Sequence, residues 1–304
     1  MKNALRPLTA FLFLATGAVA PAGNFFDPGQ FKFTNDVHYV PGGGNVGGVR
    51  RQSFDIYEPV GATGPLPVLL LIHGGGWNTG SGDSYLAAGK DFLATGDYVV
   101  AAMNYRLNTV VEPLLTQVDD VKAAIRHLRA NAATFGIDPV KIGLYGNSAG
   151  AHLASMAGLS SDVPFFGLAS DLANQQNLGT SSSVVFVVDW SGPAVPPGPP
   201  IFDLAPYASP GDPAFKLFHS VGDLTVSVQI ARDFRDALVA GGVSANMVEI
   251  PGSNHFPQQS DYNIVAPQFL SFINAQYAAA PEPGSAFLFL LGGAMLGGCR
   301  RRGR

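Results

Sequence analysis

The chain has very little cysteine. Its 304 residues contain one, Cys299, which lies close to the C-terminal end. Nucleophilic cysteines and metal sites built on cysteine are therefore excluded from the rest of the chain, which also forms no internal disulfide. No H-E-x-x-H or Walker A motif is present, and the glycine-rich segment 41–48 lacks the helix and the lysine of a phosphate-binding loop. The sequence therefore predicts neither a metal nor a cofactor.

Charged residues are also few. They make up 13% of the chain, against about 25% in an average soluble domain. The formal net charge is −4, although six of the 18 basic residues lie in the two terminal segments. The part between these segments is therefore more acidic than the whole, which argues against nucleic acid as a partner.

The N-terminal segment has the pattern of a secretory signal peptide. Lys2 and Arg6 precede the apolar residues 8–19, and Ala20-Pro21-Ala22 fits an A-x-A cleavage site. The apolar run is shorter than the ~20 residues that a membrane-spanning helix needs. We therefore expect residues 1–22 to be removed and residues 23–280 to form one α/β domain.

The C-terminal segment, residues 281–304, begins with Pro-Glu-Pro, continues with an apolar stretch and ends in a cluster of arginines. In these features it resembles the PEP-CTERM sorting signals of Gram-negative bacteria. The resemblance implies transient membrane association, removal by an exosortase-type enzyme, and delivery to the cell surface or extracellular matrix. By the positive-inside rule the arginines would stay cytoplasmic, with the domain on the far side of the membrane. An ordinary C-terminal membrane anchor is the alternative.

Short apolar segments alternate with segments of helical periodicity between the two ends. This alternation predicts a mostly parallel sheet with helices on both faces, preceded by an antiparallel pair of strands at one edge. We find no segment long enough for a large cap domain. The predicted strands are 31–40, 52–57, 68–72, 98–103, 141–145, 184–188, 214–218 and 247–250, and the predicted helices are 113–133, 151–159, 226–239 and 265–277.

A serine motif, Gly146-Asn147-Ser148-Ala149-Gly150, follows one of these strands and precedes a helix. This strand–turn–helix arrangement is typical of a nucleophile elbow, in which the hydroxyl of the serine is exposed beside the N-terminus of the helix. Glycines at both ends of the motif allow the sharp turn and the close packing of the helix on the sheet.

A second glycine motif, His73-Gly74-Gly75-Gly76-Trp77, follows the strand 68–72. Its backbone N–H groups can turn toward one point, where they would stabilise the oxyanion of a tetrahedral acyl-transfer intermediate. The two motifs occur in the order expected of a serine hydrolase with an α/β fold. Two unrelated glycine turns are the alternative.

A triad built on Ser148 needs an acid and then a histidine further along the chain. Asp223 lies in the turn after the strand 214–218, and His255 lies in the loop after the last predicted strand. Each of the three residues would then lie at the C-terminal end of its own strand, where open sheets place their sites. We predict that Ser148 is the nucleophile, His255 the general base and then acid, and Asp223 the residue that orients the imidazole. The alternative for Asp223 is a turn residue.

The other five histidines are not predicted to act as the base. His38, His73 and His127 precede Ser148 along the chain. His152 lies on the elbow helix, where we expect it to pack or to make a local hydrogen bond. His219 ends the strand before Asp223.

These residues resemble the α/β-hydrolase superfamily, and within it the H-G-G-G esterases related to hormone-sensitive lipase and the bacterial feruloyl-esterase-like proteins. The resemblance extends from about residue 53 to residue 277. It implies that the backbone N–H groups of Gly75, Gly76 and Ala149 form the oxyanion hole. Three departures bear on specificity rather than on chemistry: Asn147 replaces a common acidic residue, Ala151 replaces a frequent glycine, and the segment after Asp223 lacks the usual proline.

The resemblance implies an exported serine carboxylesterase that acts through an acyl-enzyme without a cofactor. Its expected substrates are short-chain or polysaccharide-attached acyl esters of the acetyl or feruloyl type. Two alternatives stay open: a peptidase of the same fold, and a catalytically weak binding protein of the cell surface or biofilm matrix. Trp77, Trp190 and Phe256 are expected to line the pocket or to pack in the core, and the segments 160–183 and 194–210 are expected to border it.

Overall fold

The computed structural model describes residues 31–43, 52–85, 97–107, 114–162, 173, 175–196 and 202–281. The predicted signal peptide and all but the first residue of the predicted C-terminal tail lie outside these ranges, as do parts of the segments 41–48, 160–183 and 194–210. Within the described ranges no helix is long and apolar enough to cross a membrane.

One eight-stranded sheet forms the centre of the fold, in the order β1-β2-β4-β3-β5-β6-β7-β8. β2 runs antiparallel to both of its neighbours, and the remaining pairs are parallel. The antiparallel pair predicted at one edge is therefore confirmed. The strands are β1 Phe31–His38, β2 Ser53–Pro59, β3 Leu66–Ile72, β4 Val99–Asn104, β5 Ile137–Asn147, β6 Phe186–Trp190, β7 Ala214–Ser220 and β8 Ala245–Ile250.

The longer helices described are α1 Leu114–Ala130, α2 Ala149–Leu159, α3 Val228–Ala240 and α4 Gln259–Ala279, and short 3₁₀ helices cover Gly82–Tyr85 and Ala205–Tyr207. α4 begins six residues before its predicted start. A capping box explains this, since the side chain of Gln258 and the side chain of Asp261 satisfy each other's backbone N–H groups.

The helices cover both faces of the sheet. Apolar residues of α1, α2 and α3 pack into one core cluster, and apolar residues of α4 pack into a second cluster. β3 shows how the strands serve both clusters, because Val68, Leu70 and Ile72 belong to the first and Leu69 and Leu71 to the second. This arrangement confirms the predicted fold class and leaves the C-terminal ends of the parallel strands free for the loops described next.

Candidate active site

Ser148 lies in a strained turn between β5 and α2. Its backbone has φ 53° and ψ −124°, a conformation that a residue with a side chain rarely adopts. Its amide donates a hydrogen bond to the carbonyl of Trp190 at 2.9 Å. The flanking glycines are required by space: a Cβ on Gly146 would collide with the carbonyl of Gly150, and one on Gly150 with the carbonyl of Ile72. The predicted strand–turn–helix geometry is present.

The three residues predicted as a triad form one chain of hydrogen bonds. Nε2 of His255 lies 2.8 Å from Oγ of Ser148, and Nδ1 of His255 lies 2.7 Å from Oδ2 of Asp223. Because a carboxylate only accepts, Nδ1 carries the hydrogen, and Nε2 of the neutral ring then accepts from the serine hydroxyl. This is the tautomer that a general base for Ser148 needs.

The carboxylate of Asp223 is buried and held on both oxygens. Oδ1 accepts from the amides of Thr225 at 2.8 Å and Val226 at 3.1 Å, while Oδ2 accepts from His255. Burial raises the pKa of Asp223, but the hydrogen bonds from His255, Val226 and Thr225 lower it, and the net shift is downward. Asp223 therefore stays ionised at neutral pH. It is both a turn residue and a member of the hydrogen-bonded chain.

The loop that carries the second glycine motif lies directly against Ser148. A Cβ on Gly74 would be 2.9 Å from the carbonyl oxygen of Asn147 and 3.2 Å from Cβ of Ser148. Only glycine allows this approach.

The amides predicted as oxyanion donors are available. Gly75 and Gly76 have φ values of 116° and 58°. In the part of the chain that the structure describes, the amides of Gly75, Gly76 and Ala149 donate no hydrogen bond to another residue. Unsatisfied N–H groups near a helix N-terminus are suited to binding a negative charge. Their role as the oxyanion hole remains a prediction.

His73 supports this loop structurally. Its ring stacks on Tyr105 with centroids 4.2 Å apart, and the Tyr105 hydroxyl donates to the His73 carbonyl at 2.8 Å. Nδ1 of the ring lies 2.7 Å from the carbonyl of Gly74. Burial lowers the pKa of His73 to about 4, partly offset by that carbonyl, so the ring is neutral at pH 7. His73 fixes the start of the loop as an uncharged anchor.

His152 packs behind the elbow, as the sequence predicts. Its ring lies edge-on to Trp77 with centroids 5.6 Å apart, and burial lowers its pKa to about 4. Its Nε2 lies 2.8 Å from the carbonyl of Phe202. The hydrogen bond is therefore not local: it ties α2 to a segment 50 residues further along the chain.

Asn147, at the end of β5, connects this strand to two other parts of the site. Its Nδ2 donates to the carbonyl of Trp190 at 3.1 Å and to that of His255 at 3.4 Å. A carboxylate in this position would have no hydrogen to donate. The departure from an acidic residue at this position thus has a local structural reason.

Two buried titratable groups beside the triad were missed as site residues from the sequence. His219 lies with Nε2 3.5 Å from Oδ2 of Asp223. Asp189 on β6 accepts from Oγ of Ser155 at 2.8 Å and from the amide of Gly192 at 2.9 Å, and burial raises its pKa. The signal available for His219 was its position at the end of β7, four residues before Asp223.

The aromatic residues expected at the pocket divide between core and rim. Trp190 is fully buried and stacks on Phe218 with centroids 5.1 Å apart, so it packs in the core. Trp77 is partly buried against the first core cluster. Phe256 is half exposed and lies edge-on to His255 at 5.0 Å, and Leu224, directly after Asp223, is 97% exposed. Phe256 therefore contacts His255, and Leu224 is an exposed apolar residue next to Asp223 along the chain.

Comparison with known proteins finds similarity to ester hydrolases. Residues 54–195 match the BD-FAE family model, a range that contains Ser148 and the H-G-G-G motif and ends before Asp223 and His255. The chain is 29% identical over 274 residues to the probable carboxylic ester hydrolase LipM of Mycobacterium tuberculosis, covering 78% of this chain and 60% of that protein. It is 29% identical over 238 residues to the probable isoprenylcysteine α-carbonyl methylesterase ICMEL2 of Arabidopsis thaliana, covering 69% of this chain and 55% of that protein.

The chain thus spans somewhat more than half the length of these curated relatives. A solved structure of a truncated carbohydrate esterase from gut microbiota superposes with a TM-score of 0.64 at 22% identity, covering 83% of this chain and 99% of that one. At this identity the similarity shows the fold alone. The sheet order, the serine elbow and these similarities together identify the chain as a protein of the α/β-hydrolase fold whose residues 54–195 resemble the BD-FAE family.

Proposed function

We propose that the chain is a serine carboxylic-ester hydrolase that acts through an acyl-enzyme on Ser148. The observation that carries the proposal is the continuous chain of hydrogen bonds from Ser148 through His255 to Asp223. The names of the relatives that match most of the chain, an ester hydrolase and a methylesterase, support the same class of reaction.

The proposed reaction has two halves. His255 takes the hydroxyl proton as Ser148 attacks the ester carbonyl, and it then gives that proton to the departing alcohol. Water next attacks the acyl-enzyme with His255 as base, and the proton returns to Ser148 as the acid leaves. Asp223 stabilises the imidazolium ion in both halves. Donors such as the amides of Gly75 and Gly76 would hold the oxyanion, a contribution typically of about 10²- to 10³-fold per donor.

We propose short-chain or polysaccharide-attached acyl esters, of the acetyl or feruloyl type, as the substrate class. Phe256 and Leu224 support this part of the proposal, because the half-exposed ring of Phe256 lies edge-on to His255 and the exposed Leu224 directly follows Asp223 along the chain. Such a rim suits an apolar or aromatic group next to the scissile ester, with the remainder of a larger substrate in solvent.

A series of p-nitrophenyl esters, from acetate through butyrate and octanoate to palmitate, tests the reaction and the acyl preference in the full-length chain. We expect kcat/KM to be highest for the short esters and to fall as the acyl chain lengthens. Faster cleavage of a peptide panel than of any ester would favour the peptidase alternative. Binding of acetylated polysaccharide without hydrolysis of any ester would favour the matrix-binding alternative.

Phe256→Ala tests the rim within the same series. Loss of the ring is expected to raise KM roughly fivefold for aryl esters, corresponding to about 1 kcal/mol of aromatic contact, and to leave KM for ethyl acetate nearly unchanged. Phe33→Ala is the matched control, because Phe33 is equally half exposed but lies on the edge strand β1. An equal effect of both substitutions would contradict a role for Phe256 in binding.

The proposal includes export. The sequence of residues 1–22 and of the tail 281–304 supports passage across a membrane, transient retention there and release by an exosortase-type enzyme. Fractionation of the native host shows in which compartment the protein lies, and mass spectrometry of the purified protein shows whether the two terminal segments have been removed. Protein outside the cytoplasm that lacks both segments is expected, whereas cytoplasmic protein with both segments intact would contradict export.

A further inference from the structure

We infer that His219 is a positioning residue that acts through Asp223. It stabilises the turn that carries the Asp223 carboxylate and so keeps Oδ2 oriented toward His255. The inference rests on the proposed function, since it concerns the orientation of the acid in that reaction. His219 would be a fourth side chain beside the three residues of the triad. Its role is indirect, because it contacts Val226 and Asp223 and not Ser148.

The orientation of the His219 ring is determined by one hydrogen bond. His219 lies at the end of β7 and is fully buried. Its Nε2 lies 2.9 Å from the carbonyl oxygen of Val226. A carbonyl only accepts, so Nε2 carries a hydrogen. Nδ1 of the same ring is buried and has no hydrogen-bond partner among the described residues, so within these ranges the ring is held through Nε2 alone.

That hydrogen bond holds Val226, the residue whose amide in turn donates to Asp223. The carbonyl of Val226 accepts from His219, and the amide of Val226 donates to Oδ1 of Asp223 at 3.1 Å. The turn from Asp223 to Val226 is therefore fixed from the strand side by His219. If the backbone of Val226 were displaced from His219, Asp223 would lose an amide donor.

The same nitrogen also faces the other carboxylate oxygen. Nε2 of His219 lies 3.5 Å from Oδ2 of Asp223, the oxygen that accepts from Nδ1 of His255 at 2.7 Å. At 3.5 Å this is an electrostatic contact rather than a second hydrogen bond. The positive end of the His219 N–H dipole favours the ionised form of Asp223. Oδ2 therefore has the rings of both His219 and His255 beside it.

Two further carboxylates near His219 lie on the neighbouring strands. Asp189 on β6 and Glu249 on β8 both interact electrostatically with the ring. The side chain of Asp189 is held by Ser155 and Gly192, and that of Glu249 is paired with Arg232 at 2.7 Å. Both carboxylates thus have their own hydrogen-bond donors, while the N–H group of His219 is directed to the turn of Asp223.

His219→Leu in the full-length chain removes the donor and puts an apolar side chain of similar size in place of the imidazole. We expect kcat for p-nitrophenyl acetate to fall roughly 10- to 100-fold with KM little changed, because a misplaced orienting group acts on the chemical step. His219→Gln, whose amide can still donate to Val226, is expected to stay within roughly fivefold of the wild type. His127→Leu is the control, because His127 on α1 packs against Phe54 and Phe135 away from the triad.

A double-mutant cycle with Asp223→Ala separates positioning from a general effect on structure. If His219 acts through Asp223, adding His219→Leu to Asp223→Ala causes no further loss of kcat. An equal loss in both backgrounds would overturn the inference, and so would a His219→Leu enzyme with wild-type kcat. Ester hydrolysis that persists in the Ser148→Ala variant would instead count against the proposed function.

A measurement on the unmodified protein keeps the inference testable if His219→Leu does not fold. ¹⁵N chemical shifts of the histidine side chains report which ring nitrogen carries the hydrogen. We expect His219 to carry it on Nε2, and a hydrogen on Nδ1 alone would overturn the inference.

Discussion

Replacing Ser148 by alanine is expected to lower kcat for p-nitrophenyl acetate by roughly 10⁴- to 10⁶-fold, because the hydroxyl that forms the acyl-enzyme is lost. The fold should persist, since alanine keeps the Cβ and introduces no larger group into the turn between Gly146 and Gly150. Steady-state kinetics and thermal unfolding of the purified variant measure the two effects separately.

Ser161→Ala is the matched control for this experiment. Ser161 follows α2, and its hydroxyl donates to the carbonyl of Gly158 at 3.1 Å, so its replacement also removes a serine hydroxyl and one hydrogen bond. We expect its kcat to match the wild type. Esterase activity retained in clean Ser148→Ala protein would refute the assignment of the nucleophile.

The second large effect is expected for His255→Gln, which should lower kcat by a similar factor of roughly 10⁴ to 10⁶ while KM changes little. Glutamine cannot take the proton of Ser148 and return it to the leaving alcohol. Because the two residues act as one unit, the double variant with Ser148→Ala should be no slower than either single variant. Kinetics of the single and double variants test this directly.

His38→Gln controls for the loss of an imidazole, since His38 is exposed at the end of the edge strand β1. Its kcat should be unchanged. A His255→Gln enzyme within tenfold of the wild type, or losses that multiply in the double variant, would show that another group serves as the base.

Much of the fold could be predicted because each strand is locally encoded. β3 is a run of apolar residues, and the parallel strands of a sheet covered on both faces have this composition. The extent of the elements was less predictable. β5 was predicted as 141–145 but runs over Ile137–Asn147, because pairing with its neighbours extends a strand beyond its apolar residues. β4 lies between β2 and β3 in the sheet. This order is determined by tertiary pairing of the strands, which the pattern of apolar residues does not predict.

The residues of the site were predictable to different degrees for a physical reason. Ser148, Asp223 and His255 each follow a strand, and the fold brings the ends of parallel strands together, so order along the chain was sufficient to predict that the three would lie together. His219 and Asn147 act through contacts with Val226 and with the carbonyl of His255. Those contacts arise from the conformation of the loops and have no periodic signature in the sequence.

The most direct test of the central claim is to trap the acyl-enzyme. The full-length chain would be mixed with a p-nitrophenyl ester, quenched with acid during turnover and digested, and the peptides would be examined by mass spectrometry. The account predicts an acyl group on Ser148, and no adduct in the Ser148→Ala variant. An acyl group on a different residue, or full ester turnover in that variant, would contradict it.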